Sequence, residues 1–231
     1  VFTAAPLAWV NDLGSFPVEL GLPLLRSGGY GAIVVQVNDG TTPVALDAGR
    51  ARQYHQAGLA VLGWGWAKGD DPEGEAMLAA SRVRVLGLDG YILNAEKPYD
   101  GIQGGVFDQA HYDRSARFCS RWDRTLPLGV STEPRTAMRH EEWQALGAAY
   151  MPQAYPQENR ATIADVVEFG RSVGWDAHDI VPLAGCYVHD GATFPASEHH
   201  AAATRAGVNV CLYYADGLLN EPAQWTGLVG R

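Results

Sequence analysis

Positive charge is scarce in this chain. Lys and Arg number 17 against 26 Asp and Glu, for a net charge of −9, and no basic cluster offsets the balance. A polyanion such as a nucleic acid is therefore disfavoured as a partner. Cysteine is scarce as well: Cys119, Cys186 and Cys211 stand alone, with no CxxC spacing. That argues against a structural zinc site and reads as small buried hydrophobes. No apolar run reaches the roughly 18 residues of a membrane span, so no membrane partner is expected. Charged residues make up only 19% of the chain and hydrophobic ones 47%, which excludes general disorder. No Gly-rich phosphate turn follows an early strand-like run, and no GxSxG elbow is present. An open dinucleotide-binding sheet and a serine-hydrolase triad, for which Ser131, His189 and Asp216 would be the residues, are both disfavoured. No cofactor and no metal are expected. The chain opens on Val1 without a signal-like segment, as a mature protein or an excised domain would.

What is present is a repeated alternation. Short apolar runs occupy residues 7–12, 32–39, 59–67, 90–96, 127–133, 148–155, 180–188 and 208–216. Between them lie segments with helical character at 46–58, 73–87, 107–125, 161–174 and 194–207, several ending in Gly, and 221–230 closes the chain. Strands alternating with helices imply a parallel sheet covered on its outer face. Eight such units in 231 residues predict an α/β fold, a (β/α)8 TIM barrel forming a single domain over 1–231.

Active sites of such barrels lie at the C-terminal ends of the strands. Nearly every strand turns polar or aromatic there, which supplies the candidates: Asp12, Asn38, Trp64, Trp66, Asn94, Glu96, Glu133, Gln153, Tyr155, Tyr187, Tyr214 and Asp216. Side chains alternate along a strand, so Ile92, Asn94 and Glu96 share one face while Tyr91, Leu93 and Ala95 share the apolar other. Asn94 and Glu96 then point into the barrel. A carboxyl group there must be paired or hydrogen-bonded, and one that carries a proton can hand it to a leaving group. Glu96 is the candidate general acid, unless it merely pairs with Lys68 or Lys97. Gly65, between Trp64 and Trp66, permits close packing outside.

The stretch "DGYILNAE" at 89–96 resembles the strand-four signature of family 18 glycoside hydrolases, the chitinase and endo-β-N-acetylglucosaminidase group: Asp-Gly, three residues, Asp, any residue, Glu. "QAY" at 153–155 is similar to that family's strand-six element. Ile92 and Asn94 depart from the pattern, standing where the family has Asp, and its Ser-rich strand-three element is absent. Asn beside the catalytic Glu also resembles family 85 endoglycosidases, and Asn94-Ala95-Glu96 is similar to the Asp-x-Glu of family 25 lysozymes. The resemblance implies hydrolysis of a GlcNAc-containing polysaccharide, chitin-like or bacterial cell-wall glycan. Glu96 would act as acid and base, with the substrate's acetamido oxygen as nucleophile and Asn94 and Tyr155 holding that group. Gln153, Trp64, Trp66, Tyr187, Tyr214, Asp216, Glu133, Asn38 and Asp12 would bind the sugar.

A second carboxylate, Glu133 at the end of strand five, also suits two-carboxylate hydrolysis, and Arg135 is a candidate partner for it. The alternative function is an inactive carbohydrate-binding or structural barrel, such as a phage-tail or cell-surface module. An extracellular or virion-associated location is favoured. His199 and His200 read as a solvated helix face rather than as metal ligands.

Overall fold

The structure, a computed structural model, describes residues 2–46, 48–192, 194–213 and 215. All eight apolar runs form strands: β1 (Leu7–Val10), β2 (Ala32–Asp39), β3 (Ala60–Trp66), β4 (Gly90–Asn94), β5 (Leu128–Thr132), β6 (Ala149–Ala154), β7 (Leu183–Gly185) and β8 (Cys211–Tyr213). Each runs parallel to the next, and β8 pairs back onto β1, with Trp9 opposite Tyr213. The sheet closes on itself as a (β/α)8 barrel, as expected.

Among the described residues seven helices cover the outside: α1 (Val18–Ser27), α2 (Ala48–Gln56), α3 (Pro72–Leu86), α4 (Gln109–Arg121), α5 (His140–Gln144), α6 (Ile163–Ser172) and α7 (Ala196–Ala206). None is long and apolar enough to cross a membrane. Two of them, α1 and α5, were not anticipated. Pro17, Gly21 and Pro23 interrupt the pattern of α1, while α5 is shorter than two helical turns and shows no period. α4 starts later than expected because Phe107 belongs to a hairpin, Ile102–Gln103 against Val106–Phe107, and Asp108 caps the helix by accepting from the N–H groups of Ala110 and His111. The expected closing helix at 221–230, like Tyr214 and Asp216, lies outside the described residues.

Strand alternation sorts the apolar residues into two layers. Leu7, Trp9, Val34, Leu62, Trp64, Ile92, Met151 and Leu183 fill the barrel interior. Val10, Ile33, Val35, Val61, Tyr91, Leu93 and Val130 face the helices. On β3 a Cβ at Gly65 would collide with the Tyr91 hydroxyl and the Asn38 amide, so glycine is what allows these outward groups to meet.

The histidines of α7 are not a solvated face. His199 is 1% exposed, and its Nε2–H donates to the Gly185 carbonyl of β7 at 2.9 Å. His200 Nε2 lies 2.8 Å from the Tyr30 hydroxyl. The Gly185 carbonyl also accepts from Gln157 Nε2 at 3.1 Å, so the last carbonyl of β7 is held from both sides. Burial lowers His199 from 6.5 to about 4 and also lowers His140, whose Nδ1 accepts from Trp175 Nε1 at 3.0 Å. In both the folded chain resists the proton that the unfolded chain accepts. Stability is therefore complete above about pH 6.5 and falls as pH drops toward 4, by about 3 kcal/mol for a shift of this size at His199. Urea denaturation across that window should show the loss, and His199→Gln, which keeps a donor without titrating, should remove the His199 share and leave the smaller slope due to His140.

Candidate active site

The polar strand ends converge on a cleft of about 760 Å³ at the C-terminal mouth of the barrel. Glu96 stands two residues beyond the last paired residue of β4. Its Oε1 accepts Gln153 Nε2–H from β6 at 2.6 Å and Asn94 Nδ2–H from β4 at 3.2 Å. Both amides are almost wholly buried, Asn94 at 5% and Gln153 at 8% exposure, so the carboxyl group is held by two fixed donors. No ion pair engages Glu96 among the described residues: Lys68 instead lies 2.8 Å from Asp39, while Lys97 lines the cleft beside Glu96. The Oδ1 of Asn94, by contrast, is buried without a protein partner.

Glu133 is the neighbouring carboxylate. Asn94 and Ser131 are opposite each other on β4 and β5, and Ala95 N–H donates to the Ser131 carbonyl at 2.7 Å. Two residues further along, Glu96 and Glu133 leave adjacent strands, whose spacing is about 5 Å. Burial first, and then the negative charge of Glu96, raise Glu133 above the usual carboxylate range; Lys97 opposes this and Asp100 adds to it.

Aromatic rings form the facing wall. Trp66 meets Trp64 at 6.5 Å between ring centroids, Trp64 meets Trp9 at 4.9 Å, and Trp9 meets Tyr213 at 6.2 Å. Tyr213 stacks on Tyr155 at 5.6 Å and 22°, and Tyr187 stands edge-on to both. Carboxyl and amide groups from β4, β5 and β6 thus face a continuous aromatic surface from β3, β1, β8, β6 and the segment after β7. Burial, then the nearby Tyr213, Tyr187 and Glu96, push the Tyr155 phenol far above its ordinary value, so it remains a donor. The Tyr187 hydroxyl donates to the Glu158 carboxylate.

The structure therefore brings Glu96, Asn94, Tyr155, Gln153, Trp64, Trp66, Tyr187 and Glu133 together in one cleft. It does not bring Asn38 there. A β-bulge between Gln36 and Asn38 breaks the two-residue alternation of β2, and Asn38 turns to the helix side. There its Nδ2 donates to the Gly40 carbonyl at 2.9 Å and its Oδ1 accepts from the Tyr91 hydroxyl at 3.0 Å. Asp12 is also outside the cleft, folded back so that its Oδ1 accepts Gly14 N–H at 2.8 Å. Its neighbour Asn11 reaches the site instead, donating to the Tyr213 hydroxyl at 3.4 Å. Asp89, part of the strand-four signature, sits at the opposite end of β4, where its Oδ2 accepts from Val61 N–H and lies 2.7 Å from His55 Nε2.

Trp9, Tyr213, Glu158 and Asn159 line the cleft and were not anticipated. Trp9 shares a strand face with Leu7, so parity alone could have placed it inside. Parity could likewise have added Tyr213, which shares a strand face with Cys211. For metals, the described residues bring three candidate ligand residues together only at Asp176, His178 and Asp179, just before β7 and away from the mouth.

No family model matches this sequence, and no curated protein is similar to it. Solved structures do match. A chitinase from Bacteroides thetaiotaomicron aligns with a TM-score of 0.72 over 98% of this chain and 95% of that one, at 9% identity. The Bacillus cereus spore cortex-lytic enzyme SleL aligns at 0.65, covering 97% of this chain and 73% of that one, at 9% identity. A GH18 chitinase from Pseudoalteromonas aurantia aligns at 0.62, covering 96% of this chain and all of the other, at 11% identity. At such identities the likeness is one of fold, the closed parallel barrel.

Proposed function

We propose that the chain is a glycoside hydrolase acting on a GlcNAc-containing polysaccharide, with Glu96 as general acid and then base. The observation that carries this reading is the Glu96 carboxyl group, held at the mouth by Gln153 and Asn94 opposite an aromatic wall. A pyranose ring offers flat C–H faces to aromatic side chains, and Trp66, 37% exposed, is the ring most open to solvent.

A sugar on that wall presents its glycosidic oxygen to Glu96, which protonates it. The 2-acetamido oxygen attacks the anomeric carbon as the leaving group departs. Asn94, whose Nδ2 is committed to Glu96, has a buried Oδ1 without a protein partner; a small turn of the side chain on substrate binding lets it accept the acetamido N–H, and the Tyr155 phenol donates to the acetamido oxygen. Glu96, now ionised, takes a proton from the incoming water as that water attacks the anomeric carbon and the bond to the acetamido oxygen breaks, restoring the acetamido group. Asn94 is neutral where the resembling family 18 enzymes carry Asp, and this favours the second reading, a barrel that binds sugar without cleaving it.

Chitooligosaccharides and peptidoglycan fragments separate the two. The hydrolase reading expects new reducing ends from at least one of them, together with saturable binding measured by calorimetry. Saturable binding with no product from either substrate would make this a binding barrel, and no binding at all would remove both readings.

A further inference from the structure

A second cleft, of about 480 Å³, adjoins the first and shares Glu133, Pro134 and Asn159 with it as a common wall. Arg135 and Arg160 line it. Several arginines elsewhere commit their guanidinium groups to the protein: Arg82 donates to the Val44 carbonyl, Arg114 to the Pro98 carbonyl and Arg117 to Glu73. Arg52, Arg121, Arg124 and Arg205 are exposed without such a bond among the described residues, but they line neither cleft. Arg135 and Arg160 are both exposed, and neither has a hydrogen bond or ion pair among the described residues. The Arg135–Glu133 pair expected from sequence does not form.

The carboxylates of this cleft make no contact with the two cations, although the charge of Arg135, after the Thr162 hydrogen bonds, helps hold Asp165 below its ordinary value. Asp100 Oδ1 accepts the N–H groups of Ile102 and Ala137, each at 3.0 Å. Asp165 Oδ2 accepts from Thr162 N–H at 2.8 Å and from its hydroxyl at 2.6 Å, in the capping box of α6. Glu133 is the wall shared with Glu96. Arg160 also holds a left-handed backbone, φ 60°, where glycine or asparagine would relieve the strain. Two unpaired guanidinium groups beside a sugar cleft are suited to bidentate recognition of a carboxylate.

We propose that this second cleft binds the carboxylate of an acidic sugar neighbouring the GlcNAc unit in the first. The substrate is then a glycan in which GlcNAc alternates with a sugar bearing a free carboxylate, such as peptide-stripped cell-wall strands, rather than neutral chitin. This rests on the glycan reading of the first cleft.

The test compares three tetrasaccharides by calorimetry: chitotetraose, a muramic-acid-containing tetrasaccharide, and the same compound with its carboxyl groups converted to methyl amides. Wild type should bind the free acid about tenfold more tightly than the amide, the scale of one charged hydrogen-bond pair. In the Arg135→Gln/Arg160→Gln double variant that gap should close, while chitotetraose affinity stays at the wild-type value and reports an intact fold. Equal binding of acid and amide by wild type, or a gap that survives in the double variant, overturns the proposal while leaving the hydrolase reading in place. Failure of all three sugars to bind wild type overturns both.

Discussion

Glu96→Gln should reduce glycan hydrolysis by about 10² to 10⁴-fold while leaving oligosaccharide binding nearly unchanged. The substitution is close to isosteric. Gln oxygen can still accept from Gln153 Nε2 and Asn94 Nδ2, which lie 2.6 and 3.2 Å from Glu96 Oε1, so the ground-state cleft is preserved and the exchangeable proton is lost. The deficit should fall in kcat rather than in KM, because proton transfer to the leaving group occurs only on the way to the transition state. Steady-state kinetics paired with calorimetry on the same oligosaccharide measure both. A variant that turns over at the wild-type rate takes Glu96 out of the mechanism. A variant that loses binding in proportion to activity makes Glu96 a structural contact of the sugar instead.

Much of the barrel, and about half of its mouth, could be read from the residues because both depend on local alternation. Where a strand is regular, parity assigns faces correctly: Ile92 and Asn94 turn inward and Tyr91 and Leu93 outward, and Trp64 and Trp66 line the cleft around an outward Gly65. Asn38 was misplaced because one extra residue in β2 shifts the count, and nothing local in "VQVND" signals a bulge. Tyr213 is not marked out by the sequence because adjacent tyrosines look alike until the β8 register sets Tyr213 opposite both Trp9 and Gly185. His199 looked solvated because its partner, the Gly185 carbonyl, is on a strand fourteen residues earlier. The second cleft was invisible for the same reason. Arg135 follows β5 and Arg160 follows β6, and only the closed sheet sets those two loops side by side.

Glu75 shows the same limit in its strongest form, and it carries the largest stability effect expected here. On sequence it is one of several acids in the first turn of α3, suited to the helix dipole. In the structure it is 1% exposed: its Oε1 accepts the N–H groups of both Lys68 and Gly69 at 2.8 Å, and its Oε2 accepts the Tyr99 hydroxyl at 3.0 Å. It thereby ties the loop after β3 to the turn Lys97–Tyr99, which carries Lys97 and Pro98 into the cleft. Burial raises Glu75 above the usual carboxylate range against the opposing effect of its donors, so hydrogen-bonding capacity matters more here than charge. Glu75→Ala strands three buried donors and should cost about 4 kcal/mol in urea unfolding, or about 10 °C in Tm. Glu75→Gln keeps an oxygen for the two N–H groups and an amide to donate to the Tyr99 oxygen, and should cost less than about 1 kcal/mol. Because the clamped turn borders Glu96, the Ala variant should also weaken substrate binding at temperatures where it remains folded. Equal stability of the Ala and Gln variants would mean that the loop and the turn are held by packing alone.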